Sequence, residues 1–368
     1  MALLLFDGFD WCGTLNASPT TGQPEDVSRW EKAKEDTSSP TDYTPQTDPP
    51  FGSGVALRVP GLGNLMYRLG RDFEASEDFF ILGMRVQTNL PGSGGNRIWA
   101  IVNDYFEFNA SYTVRIECEA MNTGAIRMNV AGGSNYTSAT GLLTDHVDYH
   151  LLEFKLKFKN SISTGEFQVW VDGTLAIDAA ATSDTLAAGE HTIFALDPDQ
   201  FIDVFDFYIM DSTGTHSNDL IGDGYRVGWL RPNGNGFHSD FTGQDADSVD
   251  NYLNVDEVDW DEDTTYNESG TVNDRDSYGL DDIPANTLEV FGVDIVYRMD
   301  KKESLYNSRH VKPFMRISGT DYDASDAVFL HEDFFSNFTH LEAENPDTTA
   351  QWTLSDINSL EVGIKVES

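Results

Sequence analysis

Residues 167–173 constrain the backbone of this chain more tightly than any other stretch. Phe167, Val169 and Val171 alternate with Gln168, Trp170 and Asp172, and Asp172-Gly173 supplies the turn. Apolar residues at every second position define a strand with one buried face, and Asp-Gly is the dipeptide that accepts the left-handed residues of a tight hairpin. Trp170 falls on the polar phase, so this strand turns it away from Val169 and Val171.

Further strands are expected at 55–59, 65–69, 79–88, 97–108, 112–120, 124–130, 150–159, 191–195 and 201–211. Turn sequences such as Pro91-Gly92-Ser93-Gly94-Gly95 and Asn122-Thr123-Gly124 separate them. No segment keeps a 3.6-residue apolar period over three turns, so the pattern predicts an all-β sandwich. The strongest apolar run, 201–211, ends this first module and is expected to lie beside the N-terminal strand, since a jelly roll closes by bringing its terminal strands together. Between 1 and 50 only the opening strand is regular; the Pro-, Thr- and Asp-rich stretch 38–50 reads as a long loop. Residues 214–224 read as a turn-rich connector. The region 225–368 alternates again at 288–297 and 312–317, which predicts a second, smaller β-sandwich around Phe291, Val293, Ile295, Phe314, Ile317 and Val362. Ser355 is the expected N-cap of a short helix over 356–361.

Several of these segments carry a family resemblance. Leu4-Leu5-Phe6-Asp7-Gly8-Phe9-Asp10, Val55-Ala56-Leu57-Arg58-Val59, the hairpin at 167–173 and the strand at 201–211 together resemble the LamG/concanavalin-A-like jelly-roll module that opens many tailed-phage virion proteins. The second region is similar to the same proteins at Arg231-Pro232-Asn233-Gly234, Asp263-Thr264-Thr265-Tyr266, 271–278 and the closing 352–366. The resemblance implies a jelly roll over 1–213, a connector at 214–224 and a β-rich domain over 225–368. It also implies a virion protein, made in a host cytoplasm, that binds and packs against other virion proteins and against copies of itself. A tail-associated fibre or baseplate protein meeting host surface glycans is the first expectation, and a decoration protein on the capsid is the alternative.

Composition restricts the partners. The chain has 62 acidic and 23 basic residues, a formal net charge of −39, and 12% aromatic residues. That aromatic content builds a core, so the chain is not a disordered acidic tail. A negative surface of this density repels phosphate backbones, so no nucleic-acid partner is expected. No apolar run approaches the ~20 residues that span a bilayer, so no membrane insertion is expected. No basic segment precedes Leu3-Leu4-Leu5 in the manner of a secretion leader. Cys12 and Cys118 allow one disulfide but read as packed thiols.

Chemistry-bearing patterns are few. Glu257-x-Asp259-x-x-Glu262 matches the catalytic strand of one glucanase family on a concanavalin-A-like sandwich. A retaining glycosidase needs two carboxylates about 5–5.5 Å apart. Six of the eight residues from Asp256 to Asp263 are acidic, however, and a run that acidic matches by chance, so a solvated loop is expected there. A glucanase-like depolymerase is accordingly the weakest alternative, and the sequence reading is of a protein that is not an enzyme. Oxygen ligands for calcium are offered by Asp197, Asp199 and Asp203 in the first module and by Asp245, Asp247 and Asp250 in the second; neither set has the Asp-x-Asp-x-Asp-Gly spacing of a known loop, and no other cofactor is expected. The eight His residues show no zinc spacing. Of the seven tryptophans, Trp99 and Trp170 are the candidates for stacking on a sugar.

Overall fold

The computed structural model describes residues 3–7, 31–32, 44–46, 56–59, 65–68, 80–102, 114–130, 135–157, 166–179, 193–196, 198–211, 216, 219–257, 264–301, 309–330 and 336–368. They divide into two compact units, with the chain passing from one to the other between Gly228 and Trp229.

The first unit is built from β1 (Leu3–Asp7), β2 (Glu31–Lys32), β3 (Thr44–Gln46), β4 (Ala56–Val59), β5 (Leu65–Arg68), β6 (Phe80–Thr88), β7 (Gly95–Val102) and β8 (Val114–Met121). It continues with β9 (Ile126–Val130), β10 (Asn135–Thr137), β11 (His150–Lys157), β12 (Glu166–Val171), β13 (Thr174–Asp178), β14 (Ile193–Leu196) and β15 (Ile202–Asp211). One antiparallel sheet runs β13-β12-β11-β6-β15-β4-β3, with β1 also on β15; the other runs β10-β9-β8-β7-β14-β5-β2. This is an all-β jelly-roll sandwich. The first and last strands of the unit meet, as the closure of a jelly roll led one to expect, with Phe6 opposite Tyr208 and Asp7 opposite Phe207.

The inner faces of both sheets supply the core. Leu82, Met84, Val86, Leu152, Phe154, Leu156, Val169 and Phe207 are buried, and Trp99 lies at the centre, edge-on to Phe154 at 5.1 Å and tilted over Phe194 at 5.7 Å. Asp172 (φ 49°) and Gly173 (φ 75°) make the expected hairpin turn, with Val171 opposite Thr174. In β15, three steps from Phe205 to Tyr208 oppose two from Arg85 to Gly83, and Asp206 takes up the extra residue at φ 48°. Asp is among the residues that tolerate this left-handed conformation. The bulge reverses the phase of the strand, so Phe207 enters the core and Tyr208 turns outward.

The second unit contains β16 (Pro232–Ser239), β17 (Thr242–Gly243), β18 (Asn267–Glu268), β19 (Arg275–Leu280), β20 (Val293–Met299), β21 (His310–Ile317), β22 (Thr320–Asp323), β23 (Val328–Phe329), β24 (Ser336–Glu342), α1 (Leu354–Asn358) and β25 (Glu361–Val366). A six-stranded sheet runs β16-β19-β25-β21-β22 with β23 on β21, and two ribbons pair β17 with β18 and β20 with β24. One face of the large sheet carries Met315, Ile317, Val362 and Ile364 into a core shared with Ile295, Tyr297, Trp352, Ile357 and Leu360. Phe314, expected in that core, is buried on the opposite face. The helix starts two residues earlier than Ser355 would set it: Thr353 is the N-cap, accepting from the Asp356 N–H while the Asp356 carboxylate accepts from the Thr353 N–H.

Candidate functional site

The outer face of the first unit's eight-stranded sheet holds a group of buried charged side chains, Arg85, Glu153 and Asp206. Across β11, β6 and β15, Glu153 stands opposite Gly83 and Gly83 opposite Tyr208. A Cβ on Gly83 would collide with the Tyr208 ring. Glycine therefore lets the phenol lie flat across β6, where its hydroxyl donates to Glu153 Oε1 at 2.7 Å. One residue pair further along, Leu151, Arg85 and Phe205 are in register. The Arg85 Nε donates to Asp206 Oδ2 at 3.2 Å, so both members of this ion pair are shielded from water.

Residues 219–227 lie over this face and satisfy what the sheet leaves open. The Gly222 N–H donates to Glu153 Oε1 at 2.8 Å, and Arg85 donates to Asp223 Oδ1 at 2.9 Å and to its carbonyl at 2.6 Å. Tyr225 donates its hydroxyl to the Asp206 carbonyl at 2.6 Å, and the Val227 N–H donates to Asp206 Oδ1 at 2.9 Å. Lys155 pairs with Asp219 at 2.5 Å. Burial pushes the Tyr208 hydroxyl well above the ordinary phenol range, and the Glu153 carboxylate adds to the shift. Burial likewise raises Asp206, against the opposing pull of the Val227 N–H, Arg226 and Arg85. A buried carboxylate or guanidinium is tolerated only with such partners, since an unpaired charge out of water is costly.

Trp170 belongs to the same face. It is the register partner of Glu153 on β12 and is half-buried, with Lys155 Nζ 5.7 Å from the ring centre. The sequence phase placed it outward, and it is outward. Trp99, the other candidate, is fully buried and touches core rings only; as a sugar-stacking residue it is corrected to a core residue, its Nε1 finding no partner among the described residues.

Among the described residues, Asp199 and Asp203 of the expected carboxylate group in the first module form no metal-holding cluster. Asp203 is buried and bound bidentately by Arg58, at 2.7 Å to each oxygen, while Asp199 is exposed and accepts the Arg97 N–H at 3.4 Å. Asp197 lies outside the described residues. In the second unit, Asp245, Asp247 and Asp250 do bring carboxylate oxygens within 4.8 Å of one another, all three exposed. Of the Glu257-x-Asp259-x-x-Glu262 motif only Glu257 is described: it lies outside any strand and accepts from the Thr265 hydroxyl. Cys118 is a free, buried thiol, pushed well above its usual range by burial and by Glu119 and Glu117, and Cys12 lies outside the described residues. Among the described residues no helix is long and apolar enough to cross a membrane.

No family model matches the chain, and no curated protein does. Solved structures with a similar arrangement include an endo-β-1,4-glucuronan lyase from the fungus Trichoderma reesei, at TM-score 0.40 and 12% identity over 60% of this chain and 100% of that one. A carbohydrate esterase of a Shiga toxin-encoding bacteriophage gives TM-score 0.37 and 11% identity over 57% and 99%. A Trypanosoma rangeli sialidase gives 0.33 and 13% over 45% and 26%. These values describe a likeness of architecture. One expectation is corrected nonetheless: the chain was expected not to be an enzyme, and these proteins of similar structure are carbohydrate-active enzymes, so a sandwich of this kind is no ground for excluding chemistry.

Proposed function

We propose that this chain engages carbohydrate at the outer face of the first unit's large sheet, as a surface component of a phage particle among other virion proteins. The observation that carries the reading is the orientation of Trp170. Its indole faces outward beside Lys155 and in register with Glu153, at the margin of the buried polar group. A pyranose has an apolar C–H face for an indole and hydroxyls for the ammonium of Lys155 and the exposed carboxylate of its partner Asp219, and sites of this kind combine one aromatic wall with a few fixed polar groups. Association with a particle is supported by the phage-like segments of both regions and by a charge of −39, which suits a crowded, soluble surface and repels nucleic acid.

The full chain is run through native gels cast with neutral and acidic polysaccharides. The same mixtures are assayed for unsaturated products, new reducing ends and released acetate, because a lyase, a sialidase and an esterase share this architecture. Retardation by at least one polysaccharide is expected, weakened about tenfold in Trp170→Ala, the order expected for loss of one aromatic contact. Absence of retardation by every polysaccharide, or retardation that Trp170→Ala leaves unchanged, overturns the reading.

A further inference from the structure

The second unit holds an aromatic ring that the sequence reading passed over. From Asn235 to Ser239 β16 advances four residues while β19 advances two, from Tyr278 to Asp276. The three intervening residues, Gly236, Phe237 and His238, oppose Ser277 alone and lie across the polar face of the large sheet. A Cβ on Gly236 would strike the Glu361 carboxylate and the Ser277 hydroxyl, so only glycine lets the backbone come this close. The Phe237 N–H donates to Glu361 Oε2 at 2.7 Å, and the His238 N–H donates to Ser277 Oγ at 3.0 Å.

The ring of Phe237 is 68% exposed. A single exposed apolar side chain is ordinary; a fixed one is not. The Arg316 guanidinium lies 4.0 Å from the ring centre and is itself held by Asp321 Oδ1 at 2.7 Å, while the His238 ring stands edge-on at 5.0 Å and bonds Asp321 Oδ2 at 2.8 Å. One ring face is therefore occupied by a clamped cation and the rest is presented to solvent in one orientation, so little rotamer entropy is lost when a ligand binds.

The charges on this sheet face fix the class of ligand. Arg275 binds Asp323 bidentately at 2.7 and 2.9 Å, Lys365 pairs with Asp323 and Glu367, and Lys312 pairs with Glu367. Four basic residues (Arg275, Lys312, Arg316, Lys365) stand among five acidic ones (Asp240, Asp321, Asp323, Glu361, Glu367), Asp240 accepting from the Arg275 N–H at 3.1 Å. In a chain of charge −39 this is a surface of nearly matched charge, which does not attract a polyanion and does not repel a neutral ligand. Asp321 and Glu361 keep lone pairs beyond the bonds they accept, and these suit sugar hydroxyls.

We propose that Phe237 and the polar groups around it form a second carbohydrate site, for an uncharged pyranose. It rests on the carbohydrate reading above and adds a locus to it. Native gels with dextran, a neutral galactan and a polyuronate, at low and high salt, are run on the full chain and on Trp170→Ala, Phe237→Ala, Phe237→Tyr and the Trp170→Ala/Phe237→Ala double variant. Trp170→Ala is expected to keep residual retardation by a neutral polysaccharide. That remainder is insensitive to salt, absent from the double variant, and retained by Phe237→Tyr in the otherwise unchanged chain. Unchanged melting of Phe237→Ala separates lost contact from lost fold. Retardation abolished by Trp170→Ala alone, or indifferent to Phe237→Ala, overturns the second site and leaves the first; retardation lost in Phe237→Ala but not in Trp170→Ala supports the second and overturns the first. No retardation of the unaltered chain overturns both.

Discussion

The two large sheets each carry charged residues on the face turned away from their core, and they treat them in opposite ways. On the first unit Arg85, Glu153 and Asp206 are 2%, 1% and 3% exposed, and residues 219–227 complete their hydrogen bonds. On the second unit Arg275, Arg316 and Lys365, which keep 14–17% of their side-chain surface in water, form cross-strand pairs with acidic partners that keep 20–28%. A buried ion pair contributes little net stability when intact yet is costly to break, whereas a solvated one costs little either way. The first face is thus a polar anchor with Trp170 at its margin, and the second is an open surface on which a ligand displaces only water.

That contrast is most directly broken by removing one arginine from each face. Arg85→Leu strands Asp206 beneath residues 219–227 and should cost about 3–5 kcal/mol, seen in calorimetry as a large fall in one unfolding transition. Arg275→Leu should cost about 1 kcal/mol or less. Equal effects would remove the distinction. Next in size, Glu153→Ala leaves the Tyr208 hydroxyl and the Gly222 N–H without an acceptor and should cost about 1–3 kcal/mol, with Glu153→Gln recovering most of it because an amide oxygen still accepts.

The pH response sharpens the comparison within the second unit. Burial raises Asp276 to about 6, with Asp240 adding to the shift and the bonds from Tyr278 and Asn251 opposing it. A carboxyl whose folded pKa lies above its unfolded value binds protons more readily in the folded state, so stability increases as pH falls from 7 through 6 toward the ordinary carboxylate range near about 4. Asp321 and Asp323 are held low by Arg316, His238, Arg275 and Lys365 against the upward push of burial, and their contribution is lost only below that range. Melting of the second unit should therefore rise between pH 7 and 5, and Asp276→Asn should flatten the rise. A rise that survives in Asp276→Asn assigns it to another group. Smallest of all, Phe237→Ala should shift stability by no more than about 0.5 kcal/mol, since its ring is already in water.

Much of the first unit was legible in its alternation. The hairpin at Asp172-Gly173 and the outward phase of Trp170 follow from period-two patterning, which is local, whereas the pairing of the first strand with 202–211 was expected from the way a jelly roll closes. The polar anchor was not, although Arg85 between Met84 and Val86 and Glu153 between Leu152 and Phe154 were visible signals. Their partners lie far along the chain: Asp206 is 121 residues from Arg85 and Asp223 is 138. The bulge at Asp206 also reverses the phase of an apolar run whose alternation could not reveal it. Trp99 was misjudged because a tryptophan in a continuous apolar strand, Ile98 to Val102, has no polar phase to declare its side. Phe237 was missed because Asn233-Gly234-Asn235-Gly236 reads as a turn, and only the register against β19 reveals that the chain crosses the sheet there. Thr353 outranked Ser355 as the helix cap because Asp356, three residues on, completes a reciprocal pair.

Tryptophan emission tests the central claim, that the outer face at Trp170 binds carbohydrate. The full chain is titrated with a polysaccharide that retards it, and Trp170→Phe is titrated alongside. Stacking of a sugar excludes water from a half-buried indole, so a saturable change in emission is predicted for the unaltered chain and its loss in Trp170→Phe, with melting unchanged between the two. An identical saturable change in both proteins would show that the sugar binds away from Trp170 and would contradict the account.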